Sequence, residues 1–228
     1  MADNTHADDP TTNDPSTNDP TTDDPTTDDP TTSSSGAKAR APFVRLATAS
    51  EAQAALLEPL GGDSALNLFS TLANHPKLMR PWLRFGGQLL QRSALSDRER
   101  ELVILRVAMR CGSEYEWGQH VGIARDAGLR NDEIERVGAL EDEVQSGSTG
   151  PWTATEAALI RAADELLGDH VLSDQTWEQL STTHSTEQLI ELTMLVGHYA
   201  MLAGLLRTLQ VPTEVPLPAL GSAGPAES

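Results

Sequence analysis

A chain of 228 residues with a formal net charge of −18 and a single cysteine is long enough for one well-cored domain plus an extension. One cysteine excludes an intrachain disulfide and a cysteine-built metal site, and points to a reducing, cytoplasmic setting. Half of the net charge comes from nine aspartates in residues 1–37; no basic cluster is left to neutralise a phosphate backbone, so nucleic acid is excluded as a partner.

Residues 1–37 repeat a degenerate pentad, DPTTN, DPSTN, DPTTD, DPTTD, DPTT. Like charges, low hydrophobicity and a proline every fifth residue leave nothing to bury, so this acidic Asp-Pro-Thr-Thr tail is expected to be extended and disordered. Ordinary composition begins at Lys38, and residues 38–211 read as a helical domain. Ser50 opens a short helix through Leu57, Pro59 to Gly62 make a turn, and Ser64 starts an apolar-periodic segment that stops at Asn74-His75-Pro76. His75 reads as a capping or surface group. In the following helix Pro81 predicts a kink or a late start, and Trp82, Phe85, Leu89 and Leu90 form the buried stripe.

Residues 96–128 are the centre of the chain and read as a helical hairpin. Ser96 with Glu99 is a capping box, Leu102, Leu105, Val107 and Met109 continue the first helix, and Cys111-Gly112 interrupt it. Ser113 with Glu116 predicts a second capping box, and Gly128 ends the second helix. Ser113, Glu116 and His120 share one face of that helix. Glu101 and His120 lie at nearly the same level along an antiparallel pair, about 3 Å apart at 1.5 Å per residue. Two carboxylates and an imidazole on an apolar seam suit proton transfer, which makes Glu101, Glu116 and His120 the catalytic candidates. Each also has a plainer reading: a solvated helix face for Glu101, a capping acid for Glu116, a buried hydrogen-bonded histidine for His120. Ser113, Tyr115 and Trp117 are the candidates for substrate contact, the two aromatics being core or subunit contacts first and pocket wall second.

Downstream, Asn131 caps a helix through about Leu140, GSTGPWT is a loop, and Thr153 with Glu156 starts a helix ending at Gly168. Ser173 opens a shorter helix around Trp177, and the last long helix spans Thr186 to Leu209. Its opening echoes residues 96–105, with Glu191 at the place of Glu101 and Gln210 at the place of His120. His198 and Tyr199 sit mid-helix in an apolar run and read as core packing. The longest uncharged stretch, Leu192 to Leu206, falls short of the roughly 18–20 residues of a membrane span, and no secretory leader is visible, so no membrane role is expected. Residues 212–228 are Pro- and Ala-rich and predict a flexible tail. Alternating apolar patterns are absent, so the fold class is all-α with about seven to nine helices.

The words RERELVILRVA, YEWGQHV and IARDAGL resemble the carboxymuconolactone decarboxylase-like superfamily, which includes alkylhydroperoxidase D; the likeness runs more loosely from about Leu66 to Val211. It implies an alkylhydroperoxidase D-like helical bundle that assembles as a homo-oligomer, a trimer or hexamer. In the peroxidase branch a glutamate is followed by Cys-x-x-Cys and a histidine; on this chain those places hold Glu101, Ser113, Glu116 and His120. The acid and the histidine are kept and the dithiol is not. The resemblance therefore implies a cofactor-independent proton-transfer lyase, a decarboxylase, or an isomerase, acting on a small carboxylated carbonyl or lactone compound. The alternatives are a thiol peroxidase and a non-catalytic scaffold or metal site built from Glu101, Glu116 and His120.

Overall fold

The structure is a computed structural model and describes residues 39–139 and 151–224. The expectations for residues 1–37, and the loop expectation as far as it concerns residues 147–150, lie outside the described residues. Among the described residues there are nine α-helices, three short 3-10 turns and no strand. The helices are α1 (Glu51–Leu57), α2 (Asn67–Leu72), α3 (Pro76–Gln91), α4 (Asp97–Arg110), α5 (Glu114–Asp126), α6 (Asn131–Ala139), α7 (Ala154–Gly168), α8 (Asp174–Ser181) and α9 (Thr186–Leu209).

Local chemistry sets most helix starts. Ser96 with Glu99, Thr153 with Glu156 and Ser185 with Gln188 form complete capping boxes at the heads of α4, α7 and α9. His75 caps α3, its Nδ1 accepting from the Leu78 amide at 3.2 Å. The late start expected at Pro81 does not occur: α3 runs from Pro76 to Gln91 with Pro81 inside it. Pro81 is the sixth residue of the helix, and the first four amides have no partner within it, so the ring removes a single bond, the one to the Lys77 carbonyl.

Helix α4 is the central pole, buried without interruption from Arg100 to Ala108. One side packs on α7 and α9 through Ile104, Leu159 and Leu192; the other packs on α5 and α6 through Leu105, Trp117 and Ile134. Burial on all sides obliges its arginines to pair. The Arg106 guanidinium donates twice to Asp164, both at 2.8 Å, and once to the Val137 carbonyl. Arg98 binds Glu133 and Glu156, each at 2.7 Å, and so ties α4 to α6 and α7.

Helix α9 has 24 residues and is long and apolar enough to cross a membrane by length and composition; half of its most apolar window is buried against the rest of the fold. Glu191 in its second turn accepts from the Ser93 hydroxyl and, at 2.8 Å, from the Ala94 amide, closing the turn between α3 and α4. The echo of Glu101 thus holds a loop.

Residues 212–224 do not form the free tail expected of them; they lie along α5. The Trp117 indole donates to the Ser222 carbonyl at 2.9 Å, Arg125 donates to the Ala223 carbonyl, and Ala223 is fully buried. Gly118 makes room: a Cβ there would stand 2.5 Å from the Leu217 Cβ. Proline and alanine carry no helical period, but side chains of α5 can bind the carbonyls of an irregular segment, and sequence periodicity is blind to that mode of docking.

Candidate active site

The α4–α5 turn brings the candidate residues together, but by a different device from the one expected. Gly112 takes the left-handed conformation at φ +63°, and the Ser113 amide reaches back to the Ala108 carbonyl at 2.8 Å. This closes the end of α4 through the backbone alone. Ser113 then lies at ψ 89°, whereas the capping residues Ser96, Thr153 and Ser185 lie between 155° and 162°. Its hydroxyl makes no capping bond, so the second capping box is not formed.

Across the hairpin, His120 Nδ1 meets Glu101 Oε2 at 2.7 Å. The other oxygen, Oε1, accepts from Arg100 Nε at 3.0 Å, and Arg100 also donates to Asp97 at 2.6 Å. Glu101 is completely buried, so the solvated helix face is excluded. A carboxylate can only accept from the ring, which puts the proton on Nδ1 and leaves Nε2 as the nitrogen available to a ligand.

His120 lines a cavity of about 450 Å³. Leu56, Leu68, Phe69, Trp82, Leu202 and Leu206 give it apolar walls, and Tyr115, Glu116, Gln119, His198 and Tyr199 are among its polar lining. Burial pushes the Glu116 carboxyl up to about 8, with Ser113 pulling weakly the other way. Among the described residues neither Glu116 oxygen nor the Ser113 hydroxyl meets a partner in full hydrogen-bond geometry, although Ser113 is near enough to act on the carboxyl. At neutral pH Glu116 is therefore a neutral acid. Burial pushes His198 down to about 4, so it is a neutral imidazole. Burial, then the charges of Glu101 and Glu116, raises the Tyr199 phenol above its ordinary value. Tyr115 is raised as well, by burial and by its 2.6 Å bond to Glu214, a residue of the C-terminal segment that also accepts from Gln119 at 2.9 Å.

The rings interlock. Both imidazoles stand edge-on to Tyr199, with centroids 5.1 Å away for His120 and 5.4 Å for His198. Trp82 stacks on His198 at 5.7 Å, and Phe85 meets it edge-on at 5.3 Å. Cys111 caps α4 half-buried and is not among the lining residues; burial, then the charge of Glu116, raises its thiol above the ordinary value. Among the described residues no three His, Cys, Asp or Glu side chains come together as a metal-ligand set, and both oxygens of Glu101 are already engaged by Arg100 and His120.

Residues 76–164, which span α3 to α7 and include the hairpin, match the carboxymuconolactone decarboxylase family. That match covers less than half of the chain and supports the resemblance carried by the hairpin sequence. Solved structures share the fold of this chain at low identity. A peroxidase-related protein from Ralstonia eutropha, described as an alkylhydroperoxidase AhpD core, is 16% identical over 77% of this chain and 92% of its own, with a TM-score of 0.63. A peroxidase-related protein from Silicibacter is 15% identical over 71% of this chain and 82% of its own, with a TM-score of 0.59. The debrominase Bmp8, solved with 2,3,4-tribromopyrrole, is 11% identical over 72% of this chain and 84% of its own, with a TM-score of 0.55. No curated protein matches the chain.

Of the six candidate residues, Glu116, His120 and Tyr115 line the cavity, and Glu101 is bonded to His120 behind its wall. Two of the candidates for substrate contact do not reach the cavity, and Trp117 takes the first of its two readings. Trp117 is core: it is fully buried among Leu105, Val121 and Ile134 and donates to the C-terminal segment, not to the cavity. Ser113 is buried with no capping bond and is not among the lining residues. His198 and Tyr199, read as core packing, are cavity residues, and the Nδ1 of His198 has no partner. A histidine in the middle of an apolar helix with no polar neighbour one turn away was the signal. Gln119, adjacent to His120, had none.

Proposed function

We propose that this chain is a cofactor-independent proton-transfer enzyme, a lyase or isomerase, acting on a small carbonyl or lactone compound. The observation that carries this reading is His120 at the wall of an apolar cavity, with Nδ1 held by a fully buried Glu101 at 2.7 Å. Glu101, balanced by Arg100, orients the ring; Nε2 takes the proton from the carbon beside the carbonyl. The electron pair of the broken C–H bond moves into the enolate, and the proton returns to the same carbon or to another along the conjugated system. For a decarboxylation the C–C bond breaks instead, carbon dioxide leaves, and a protonated His120 supplies the proton to the enolate carbon. Glu116, a neutral acid at pH 7, is the second proton carrier.

The names of two structural neighbours suggest a thiol peroxidase. That chemistry needs an accessible thiolate and a second sulfur to resolve it, whereas Cys111 is the sole cysteine, half-buried and raised. The deciding experiment incubates the protein with cyclic ketones and lactones in deuterium oxide and follows exchange beside the carbonyl by NMR. Exchange that disappears in His120→Ala is expected. Dithiol-dependent peroxide reduction that disappears in Cys111→Ser, without any carbonyl exchange, would overturn the reading.

The same proposal includes a cytoplasmic homo-oligomer. Ile190, Met194 and Met201 expose 62%, 48% and 54% of their surface along α9, an apolar stripe suited to a second copy. Light scattering is expected to return a multiple of the 24.4 kDa chain mass, and a monomer at micromolar concentration would contradict it.

A further inference from the structure

We propose that His198 holds the carbonyl oxygen of the substrate, donating from Nε2, and that the cavity takes an uncharged, largely apolar carbonyl compound rather than a carboxylated one. The inference rests on the proton-transfer reading and names the substrate class and the second working residue of the same site.

Three observations carry it. His198 is 6% exposed, its Nδ1 is enclosed without a hydrogen-bond partner, and the residue lines the cavity that His120 lines. A neutral imidazole bears one N–H and one lone pair, and an enclosed orphan lone pair costs less than an enclosed orphan N–H; the N–H therefore belongs on Nε2. Room for a ligand at that nitrogen is kept by Gly86 of α3, where a Cβ would come within 3.3 Å of Nε2. Trp82, Phe85 and Tyr199 fix the plane of the ring from three directions. The donor is thus preorganised before any ligand arrives, the condition under which a hydrogen bond stabilises a developing oxyanion most.

The charge of the ligand follows from the lining. Among the described residues no lysine or arginine lines the cavity, and Arg100 is committed to Glu101 and Asp97. A carboxylate buried there would face apolar walls and a partnerless Glu116 with no cation to compensate it. Burial keeps His198 neutral at pH 7, so it supplies a donor and no charge. The chemistry is a closed cycle. His120 Nε2 removes the proton beside the carbonyl, the pair shifts to the oxygen held by His198, and return of the proton to a conjugated carbon gives the isomer. Nothing is oxidised and no group leaves, so within the proposed function isomerisation is favoured over decarboxylation.

The test uses the full chain and two probes that differ in charge alone: cyclohexanone carrying a methyl or a carboxylate at the same ring position. Binding is read from quenching of Trp82, which lines the cavity, and turnover from deuterium exchange. The uncharged ketone is expected to bind at least about tenfold more tightly. His198→Phe keeps the ring packing and removes the donor; kcat for exchange should fall about a hundredfold with a smaller change in KM, and His198→Gln, which restores an N–H, should recover part of it. A role in packing alone would give no rescue by glutamine. Should His198→Phe fail to fold, Gly86→Ala, which crowds Nε2 from α3, is expected to weaken ketone binding in its place. Equal or tighter binding of the carboxylated probe overturns the inference, as does exchange that both substitutions leave intact while His120→Ala abolishes it. Ketone binding that depends on His198 in a wild type that exchanges nothing would keep the inference about the anchor and defeat the proton-transfer reading.

Discussion

His120 and His198 line one cavity and touch one tyrosine, yet the two halves of the fold hold them in opposite ways. The α4–α5 hairpin surrounds His120 with charge: Glu101 accepts from its Nδ1, and Arg100 and Asp97 extend the chain of pairs to the surface. His198 of α9 is surrounded by rings, Trp82 and Phe85 from α3 and Tyr199 from α9, and among the described residues nothing bonds its Nδ1. Identical side chains thus receive different work from their surroundings: a charge partner makes an imidazole a directed base, and an aromatic box makes it a neutral donor.

Removing the imidazole from the charged half should abolish the chemistry. His120→Ala is expected to lower exchange about 100- to 10,000-fold with the fold intact, the usual contribution of a positioned base. Glu101→Gln should lose a similar amount and also destabilise by roughly 3 kcal/mol, because the buried Arg100 loses its inner carboxylate. Cys111→Ser should retain both activity and stability, since the thiol lies off the cavity. Parallel exchange assays and thermal melts of the three variants decide this; full activity in His120→Ala would remove the contrast between the two histidines.

Acid and base should strike the two halves separately. His198 titrates near 4 in the folded protein against 6.5 ordinarily, so the unfolded chain takes the proton first as pH falls. Wild type should lose about 3 kcal/mol between pH 7 and pH 4 from this group, and His198→Phe should not show that share of the loss. Glu116 runs the other way, with a folded value of about 8 against 4.5. Its contribution is complete below pH 4.5 and is lost as pH rises to 8, where Glu116→Gln should be more stable than wild type by roughly 4 kcal/mol. Urea unfolding across pH 4 to 9 measures both, and a flat difference between wild type and either variant would refute the corresponding assignment.

Legibility in the sequence divides along the same line. Glu101, Glu116 and His120 could be read because helical spacing within one hairpin fixes which side chains share a face, and the all-α architecture followed from caps at helix-sized intervals. His198 showed only as a lone polar residue in an apolar helix, because its surroundings come largely from α3, whose distance in sequence carries no spacing rule. The second capping box failed for a subtler reason. Ser113 and Glu116 have the right spacing, but the left-handed Gly112 consumes the turn that would have aimed the serine. For Trp117 the core reading holds and the pocket-wall reading fails: its neighbours in sequence line the cavity while it points away from it, toward a C-terminal segment with no periodicity to announce it.

That C-terminal segment is the next lever on the hairpin. Gly118→Ala sets a methyl group 2.5 Å from the Leu217 Cβ, an atom too close to the backbone to swing aside. The segment must shift, at a cost of about 1–3 kcal/mol. Its bonds from Tyr115 and Gln119 to Glu214 should loosen with it. The expected signature is a lower melting temperature with a red-shifted tryptophan emission as Trp117 loses its carbonyl partner; an unchanged spectrum would mean that the segment does not depend on the missing side chain.

The smallest effect belongs to Glu191, the counterpart in α9 of Glu101. The two stand at matching places in the echoed stretches, yet Glu101 holds an imidazole whereas Glu191 accepts from Ser93 and Ala94 in the α3–α4 turn. Glu191→Ala removes an acceptor from a half-buried amide and hydroxyl that water can partly serve, so about 1 kcal/mol is expected, or 2–4 °C in melting temperature. Exchange activity should be unchanged, because the residue is not among those lining the cavity. A fall in activity comparable to that of Glu101→Gln, at unchanged stability, would mean that the two carboxylates do the same work and that the halves of the fold are functional copies after all.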